Sequence, residues 1–293
     1  MLKWERKIVQ WIDRYLLQLI WVLVTLIALF IRRGGLWHVS FDFGNQFYTD
    51  APGYLHTPFY TMLIWLVSHI PMTPIRTVKL IISLFDFGVA IAAVALIRNK
   101  LGGEIDNRKL LTCYALLLIS PVVIENGLTW ICVDSVCLCA VLCAALAWDR
   151  KKTGIAWGLL GAAAAIQMQY GVIFIAAAIY CLVKHKRGLR QIWIGVAVAA
   201  GLTAGAAMWA DLSVMQCLYQ LVSWLFINPG TGEVFNSLLG WLGGMAVNYG
   251  YLMATGMLIG IFFYPGLTWV TAVVQLLATV YFGWILQYGY FWR

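Results

Sequence analysis

Hydrophobic runs recur along almost all of this 293-residue chain, at about residues 15–31, 75–97, 110–124, 134–148, 154–166, 170–183, 191–210, 235–249, 251–264 and 266–290. A bilayer core takes about 20 apolar residues per helical span. The pattern therefore predicts an all-α, polytopic transmembrane bundle of roughly ten spans, with no separate soluble domain. Composition agrees: 62% of residues are hydrophobic and 11% charged, against about 45–50% and about 25% in a soluble domain. The formal net charge of +8 does not point to nucleic acid, because the cations sit in short clusters between apolar runs rather than along one polar surface. There they set orientation.

Sixteen of the 20 Lys and Arg residues fall in five places: Lys3/Arg6/Lys7/Arg14, Arg98/Lys100/Arg108/Lys109, Arg150/Lys151/Lys152, Lys184/Lys186/Arg187/Arg190 and Arg293. Residues 57–70 form an apolar stretch of only 14 residues between two Thr-Pro pairs. It reaches about 21 Å, short of a hydrocarbon core of about 30 Å. If this stretch is re-entrant or interfacial, every basic cluster falls on one side, which the positive-inside rule makes cytoplasmic. The N-terminus then lies inside. Residues 1–293 read as one transmembrane domain: a first extracytoplasmic loop over 32–74 with its short non-spanning helix, motif-bearing helices over 75–210 and C-terminal helices over 211–293. Residues 15–31 read as an uncleaved first span, since Arg32-Arg33-Gly34-Gly35 offers no convincing small-residue cleavage site. The outer face receives Asp42, Asp50, Glu125 and Glu233, with Asp134 and Asp211 at helix edges, together with four isolated cations, Arg32, Arg33, Arg76 and Lys79.

Three stretches on or near that face carry polar residues that an apolar helix does not otherwise need. Lys79, Ser83 and Asp86 are spaced four and three apart and share a helix face. An ionised carboxylate inside a span is costly unless paired, so Asp86 is expected to face the bundle interior, with Lys79 as a possible partner. The segment from Ser120-Pro121 through Asn126 and Trp130 to Asp134-Ser135 reads as a turn between two helices. Asp134 is placed to cap the second of them. Gln167-Met168-Gln169-Tyr170 is a polar break whose glutamines can satisfy helix ends. The seven cysteines lie mostly within apolar runs without a C-x-x-C pair and read as small buried hydrophobes. The four histidines, His38, His56, His69 and His185, have no partners at metal-ligand spacing.

Taken together, Lys79-Leu80-Ile81-Ile82-Ser83-Leu84-Phe85-Asp86, the Ser120-Pro121…Asn126…Trp130…Asp134-Ser135 turn and Gln167-Met168-Gln169 with Ile173-Phe174 resemble motifs of the GT-C superfamily. These are integral-membrane glycosyltransferases, and the likeness is to the bacterial branch related to GPI mannosyltransferase II. It covers about residues 30–185. Ile131-Cys132 stand where that branch carries Gly-Gln, the lysine of the third motif is missing, and the branch's C-terminal His-Glu-Arg-Tyr-like segment has no counterpart. The resemblance implies inverting transfer of a hexose, mannose-like, from a polyprenyl-phosphate donor to a glycan or lipid-linked acceptor outside the cytoplasm, at the cell membrane and without metal or other cofactor. It implies an acidic general base in the first outer loop, Asp42 in preference to Asp50, and cations for the donor phosphate among Arg32, Arg33, Arg76 and Lys79. Asp86, Asn126, Trp130, Asp134, Gln167 and Gln169 become substrate-binding or structural polar residues. Trp37, Tyr48, Tyr54 and Trp130 can stack on sugar or belong to an interfacial aromatic belt. The alternative is a non-catalytic transporter or assembly subunit of the same descent, although no internal repeat of the kind transporters show is present.

Overall fold

The computed structural model describes residues 3–37, 57–102, 105–129, 133–184, 187–213, 215–217 and 250–280. Among these there is no strand. The helices are α1 (Lys3–Trp37), α2 (Pro58–Ser68), α3 (Pro74–Leu101), α4 (Asn107–Ile119), the single turn α5 (Pro121–Ile124), α6 (Asp134–Asp149), α7 (Thr153–Ile166), α8 (Gly171–Val183), α9 (Ile192–Trp209), α10 (Gly250–Gly260) and α11 (Thr268–Val280). A π-helical turn, Glu125–Thr129, follows α5, and short 3-10 turns fill Met168–Tyr170, Arg187–Gln191 and Pro265–Leu267.

Among the described residues three helical stretches are long and apolar enough to cross a membrane: Tyr15–Leu36, Ile75–Leu101 and Gly188–Trp209. Asn107–Ile119 and Pro121–Leu128, bent by 45°, make a fourth if they are one broken span. The bend has a clear cause. Pro121 lacks the N–H that would continue the ladder, and its ring excludes the preceding helical turn. Ser120, at the break, hydrogen-bonds Gln275 Oε1 of α11 at 3.2 Å, and Gln275 Nε2 donates to Ala254 O of α10 at 2.6 Å. A kink that would otherwise expose polar atoms to hydrocarbon is thereby tied to two other helices.

Helix starts follow the local sequence. Asp106 caps α4 by accepting from Arg108 N–H at 3.0 Å. Thr57 caps α2 by accepting from Tyr60 N–H at 3.2 Å, while its hydroxyl lies 2.5 Å and 2.8 Å from the Ala165 and Ile166 carbonyls at the end of α7. Those carbonyls are the orphan acceptors of a helix terminus. Sequence analysis gave the capping of such ends to the glutamines that follow α7. Thr57 does it instead, because α2 docks there.

The core runs along α3. Half of the residues in its apolar window are buried, against 11% in α1, so α3 is the axis and α1 lies at the periphery. Ile82, Val89, Ala93 and Ile97 of α3 pack with Leu117 and Leu118 of α4, Cys137 and Leu138 of α6, Ala163 of α7 and Tyr251 of α10. A smaller cluster gathers around Trp157, whose indole N–H donates to Gly188 O at 2.7 Å. Outward faces carry exposed Leu26, Phe30, Leu84, Leu182 and Trp193, a lining compatible with lipid. The six described cysteines are free, with Cys113, Cys137 and Cys181 buried.

The crossing of α7 and α9 depends on glycine. A Cβ added to Gly161 would stand 2.2 Å from the Gly195 carbonyl oxygen, so the two backbones touch directly. Gly161→Ala is expected to force the helices apart at a cost of about 1–3 kcal/mol. Thermal unfolding of the purified protein in detergent checks this, with Gly201→Ala, where a Cβ meets nothing within 4 Å, as the neutral comparison.

Candidate functional site

Two carboxylates, Asp86 and Asp134, are buried inside the helical assembly, 2% and 6% exposed. Each is the centre of a set of hydrogen bonds reaching across the sequence. Asp86 lies in the first half of α3. The Arg32 guanidinium meets it through Nη2 at 3.1 Å and Nε at 3.3 Å, both to Oδ2. The remaining guanidinium edge donates to Leu118 O of α4 at 2.9 Å and Ala28 O of α1 at 3.4 Å. The Arg32 guanidinium also stacks 5.3 Å from the Phe87 ring. The Ser135 hydroxyl donates to Asp86 Oδ1. Because that donation uses its only proton, the Tyr251 hydroxyl 3.2 Å away donates to Ser135 Oγ.

Asp134 is the neighbour of Ser135 on the first turn of α6. Gln169 Nε2 donates to its Oδ1 at 2.9 Å, Asn126 Nδ2 to its Oδ2 at 3.3 Å, and the Tyr170 hydroxyl lies 3.1 Å from its carbonyl and 3.3 Å from Oδ1. The expected N-cap role is therefore corrected. Val133 is the N-cap of α6, without a side-chain cap bond, and the Asp134 carboxylate faces neighbouring segments. It turns away from its own helix end because amide and phenol donors are already arranged there.

The π-helical turn supplies the geometry between the two centres. Its wider backbone carries the buried Asn126 toward Asp134. The next residue, Gly127, leaves room beside Asp86. A Cβ there would sit 2.9 Å from Ile82 Cγ2 and 3.6 Å from Asp86 Oδ2. Leu128 then fills the space over Gly35, where a Cβ would approach Leu128 Cδ1 to 2.6 Å.

Of the residues singled out from sequence, Arg32, Asp86, Asn126, Asp134 and Gln169 come together here. Two expectations change. Lys79 does not pair with Asp86; its ammonium donates to Gly35 O at 3.2 Å. Arg32 does not belong to a loop beginning at residue 32. It lies inside α1, 1% exposed, because Asp86 and two carbonyls satisfy its charge there and the helix continues to Trp37. Arg33 faces outward beside Phe30 and Gly34. Arg76 is half-buried near the start of α3. Among the described residues, Gln167 Oε1, Glu125 Oε2 and Ser83 Oγ are buried without a hydrogen-bond partner. Asp42, Asp50 and Trp130 lie outside the described residues, as do Tyr48, Tyr54, His38 and His56.

Ser135 and Tyr170 lie within the stretches singled out from sequence but carry no role of their own there, and Tyr251 is not among them. Ser135 and Tyr170 had a local signal, since each adjoins a selected residue, Asp134 and Gln169. Tyr251 had none: it opens an apolar run, and its partners lie more than a hundred positions away. No group of three or more His, Cys, Asp or Glu side chains able to hold a metal ion occurs among the described residues. No protein-family model, curated protein or solved structure matches the chain.

Both carboxylates have every oxygen engaged by a partner on a neighbouring segment. Removing one partner of a buried ion pair leaves a lone charge in low dielectric, which costs about 3–5 kcal/mol. Arg32→Met and Asp86→Leu are each expected to lose stability on that scale, whereas the double variant R32M/D86L regains most of it. Unfolding of all three in detergent, followed by tryptophan fluorescence, checks the coupling; additive losses would refute it.

Proposed function

We propose that the protein is a multi-pass membrane glycosyltransferase of the GT-C type, which moves a hexose from a polyprenyl-phosphate donor to an extracytoplasmic acceptor with inversion. One observation carries this reading. The three stretches on which the sequence resemblance rests, around Asp86, Asn126 to Ser135 and Gln169, are far apart in the chain but belong to two adjoining hydrogen-bonded centres joined through Asp134 and Ser135. The shorter apolar helices α7, α8, α10 and α11 add further passes toward roughly ten, α2 stays non-spanning, and the basic clusters face the cytoplasm.

In this reading Asp42 takes the proton from the acceptor hydroxyl as its oxygen bonds the anomeric carbon. The bond from that carbon to the lipid phosphate breaks, and its electron pair leaves with the phosphate. Arg33, Arg76 and Lys79 offer positive charge to the leaving group. Arg32 has its guanidinium committed to Asp86 and two carbonyls, so its part is to hold the network in shape. Products are the glycosylated acceptor and free polyprenyl phosphate. The second reading, a non-catalytic subunit or transporter of the same descent, draws on the departures at Ile131-Cys132 and at the missing lysine.

Incubation of the purified protein with a panel of polyprenyl-phosphate hexoses and candidate glycan acceptors decides between them, read as release of polyprenyl phosphate. Asp42→Asn is expected to lower that release by about a hundredfold or more, with membrane insertion and detergent behaviour unchanged. An undiminished rate would remove Asp42 from the chemistry and pass the role to Asp50, tested in the same assay. No release from any donor would favour the non-catalytic reading.

A further inference from the structure

A second feature lies at the end of α3 that carries Arg98 and Lys100. A crevice of about 480 Å3 opens between the first half of α4 and the turn that joins α10 to α11. Its walls are apolar, with Leu101, Leu116, Ile261 and Phe262 among the lining residues, and Lys109 and Thr112 are the polar side chains contributed by α4. Lys109, Thr112 and Leu116 are spaced three and four apart and share one face of α4. Leu116 is thus about 10 Å along the helix from Lys109, which gives the crevice a cationic mouth and an apolar interior.

Lys100 pairs with Asp149, but no acidic side chain forms an ion pair with Arg98, Arg108 or Lys109 among the described residues. Asp106 is engaged as the cap of α4. The Thr112 hydroxyl donates to Arg108 O at 2.9 Å, so its oxygen remains available only as an acceptor. An ammonium donor about 10 Å along one helix face from an apolar slot matches an anionic phosphodiester and its acyl chain. Basic crevices between membrane helices recognise such lipids. We propose that this crevice binds one anionic glycerophospholipid, with its phosphate at Lys109 and an acyl chain against Leu116, Ile261 and Phe262. The inference rests on the membrane reading and is independent of any transferase activity.

Native mass spectrometry of the full-length protein in detergent, titrated with dioctanoyl phosphatidylglycerol and separately with dioctanoyl phosphatidylcholine, tests it. Saturable binding of one phosphatidylglycerol, tighter than phosphatidylcholine, is expected. Lys109→Gln should weaken it roughly fivefold, the effect of one cation near an anionic headgroup. Leu116→Trp should fill the slot and remove it. Lys184→Gln, an exposed cation at the end of α8, should leave it unchanged. Equal weakening by K109Q and K184Q would mean nonspecific surface charge and would overturn the proposal, as would equal affinity for the two lipids or undiminished binding to L116W. Lys109 is exposed, so K109Q keeps the test valid even if L116W does not fold.

Discussion

A guanidinium and a carboxylate, each with a side chain only 1% exposed, sit among apolar helices in which either alone would cost several kcal/mol. Their pairing is tolerable because almost every remaining valence is filled: two carbonyls on Arg32 and the Ser135 hydroxyl on Asp86. The consequences reach beyond the two residues. α1 buries little of its surface, and it is held by Ala28, by the Thr25–Tyr114 hydroxyl contact at 3.0 Å and by Arg32. The pair thus recruits a peripheral helix to the central one. Through Leu118 O and Ser135 it also fixes α4 and α6, and through Tyr251 it brings α10 to the same point.

Asp134 and Ser135 extend that constraint because they are consecutive on the first turn of α6. Ser135 enters the Asp86 centre, and Asp134 enters a second centre made of Asn126, Gln169 and Tyr170. The first turn of α6 therefore locks two polar groups into one rigid floor. A partly satisfied network would be worse than an apolar core, and here both carboxylates are fully engaged. The kinked segment after Ser120 and the break after Ile166 both supply donors to the Asp134 carboxylate, Asn126 from the first and Gln169 from the second.

Much of this was legible in the sequence, and what was not has a physical reason. Helices α3, α6, α7 and α8 follow the apolar runs closely, because continuous hydrophobicity and the flanking polar residues set their ends. Asp86 could be singled out, since a carboxylate in such a run demands a partner. Its partner could not. Helical spacing nominates Lys79 on the same helix, whereas Arg32 is 54 positions away and meets Asp86 only through helix packing. Arg32 was read as the start of a loop because a charge after an apolar run usually ends it; burial beside a counter-charge reverses that rule. Asp134 at a helix start suggests a cap in sequence, yet side-chain direction depends on neighbours that periodicity does not reveal. Tyr251 shows the limit most plainly, for a tyrosine in an apolar stretch is indistinguishable from core until its hydroxyl has a partner.

The two centres also bear on where chemistry can occur. Saturated groups position; unsatisfied ones need something more, since an unpaired buried polar atom costs about 1–3 kcal/mol. Among the described residues Ser83 Oγ, Glu125 Oε2 and Gln167 Oε1 of the motif-bearing segments are in that state, as is Thr271 Oγ1 of α11 outside them. The stretch that bears Asp42 and Asp50 is tied at both ends to those segments. Before it, Gly35 accepts from Lys79 and packs under Leu128; after it, Thr57 is fastened to the carbonyls that precede Gln167. Both tethers border the polar floor rather than the basic helix ends near Lys100 and Asp149.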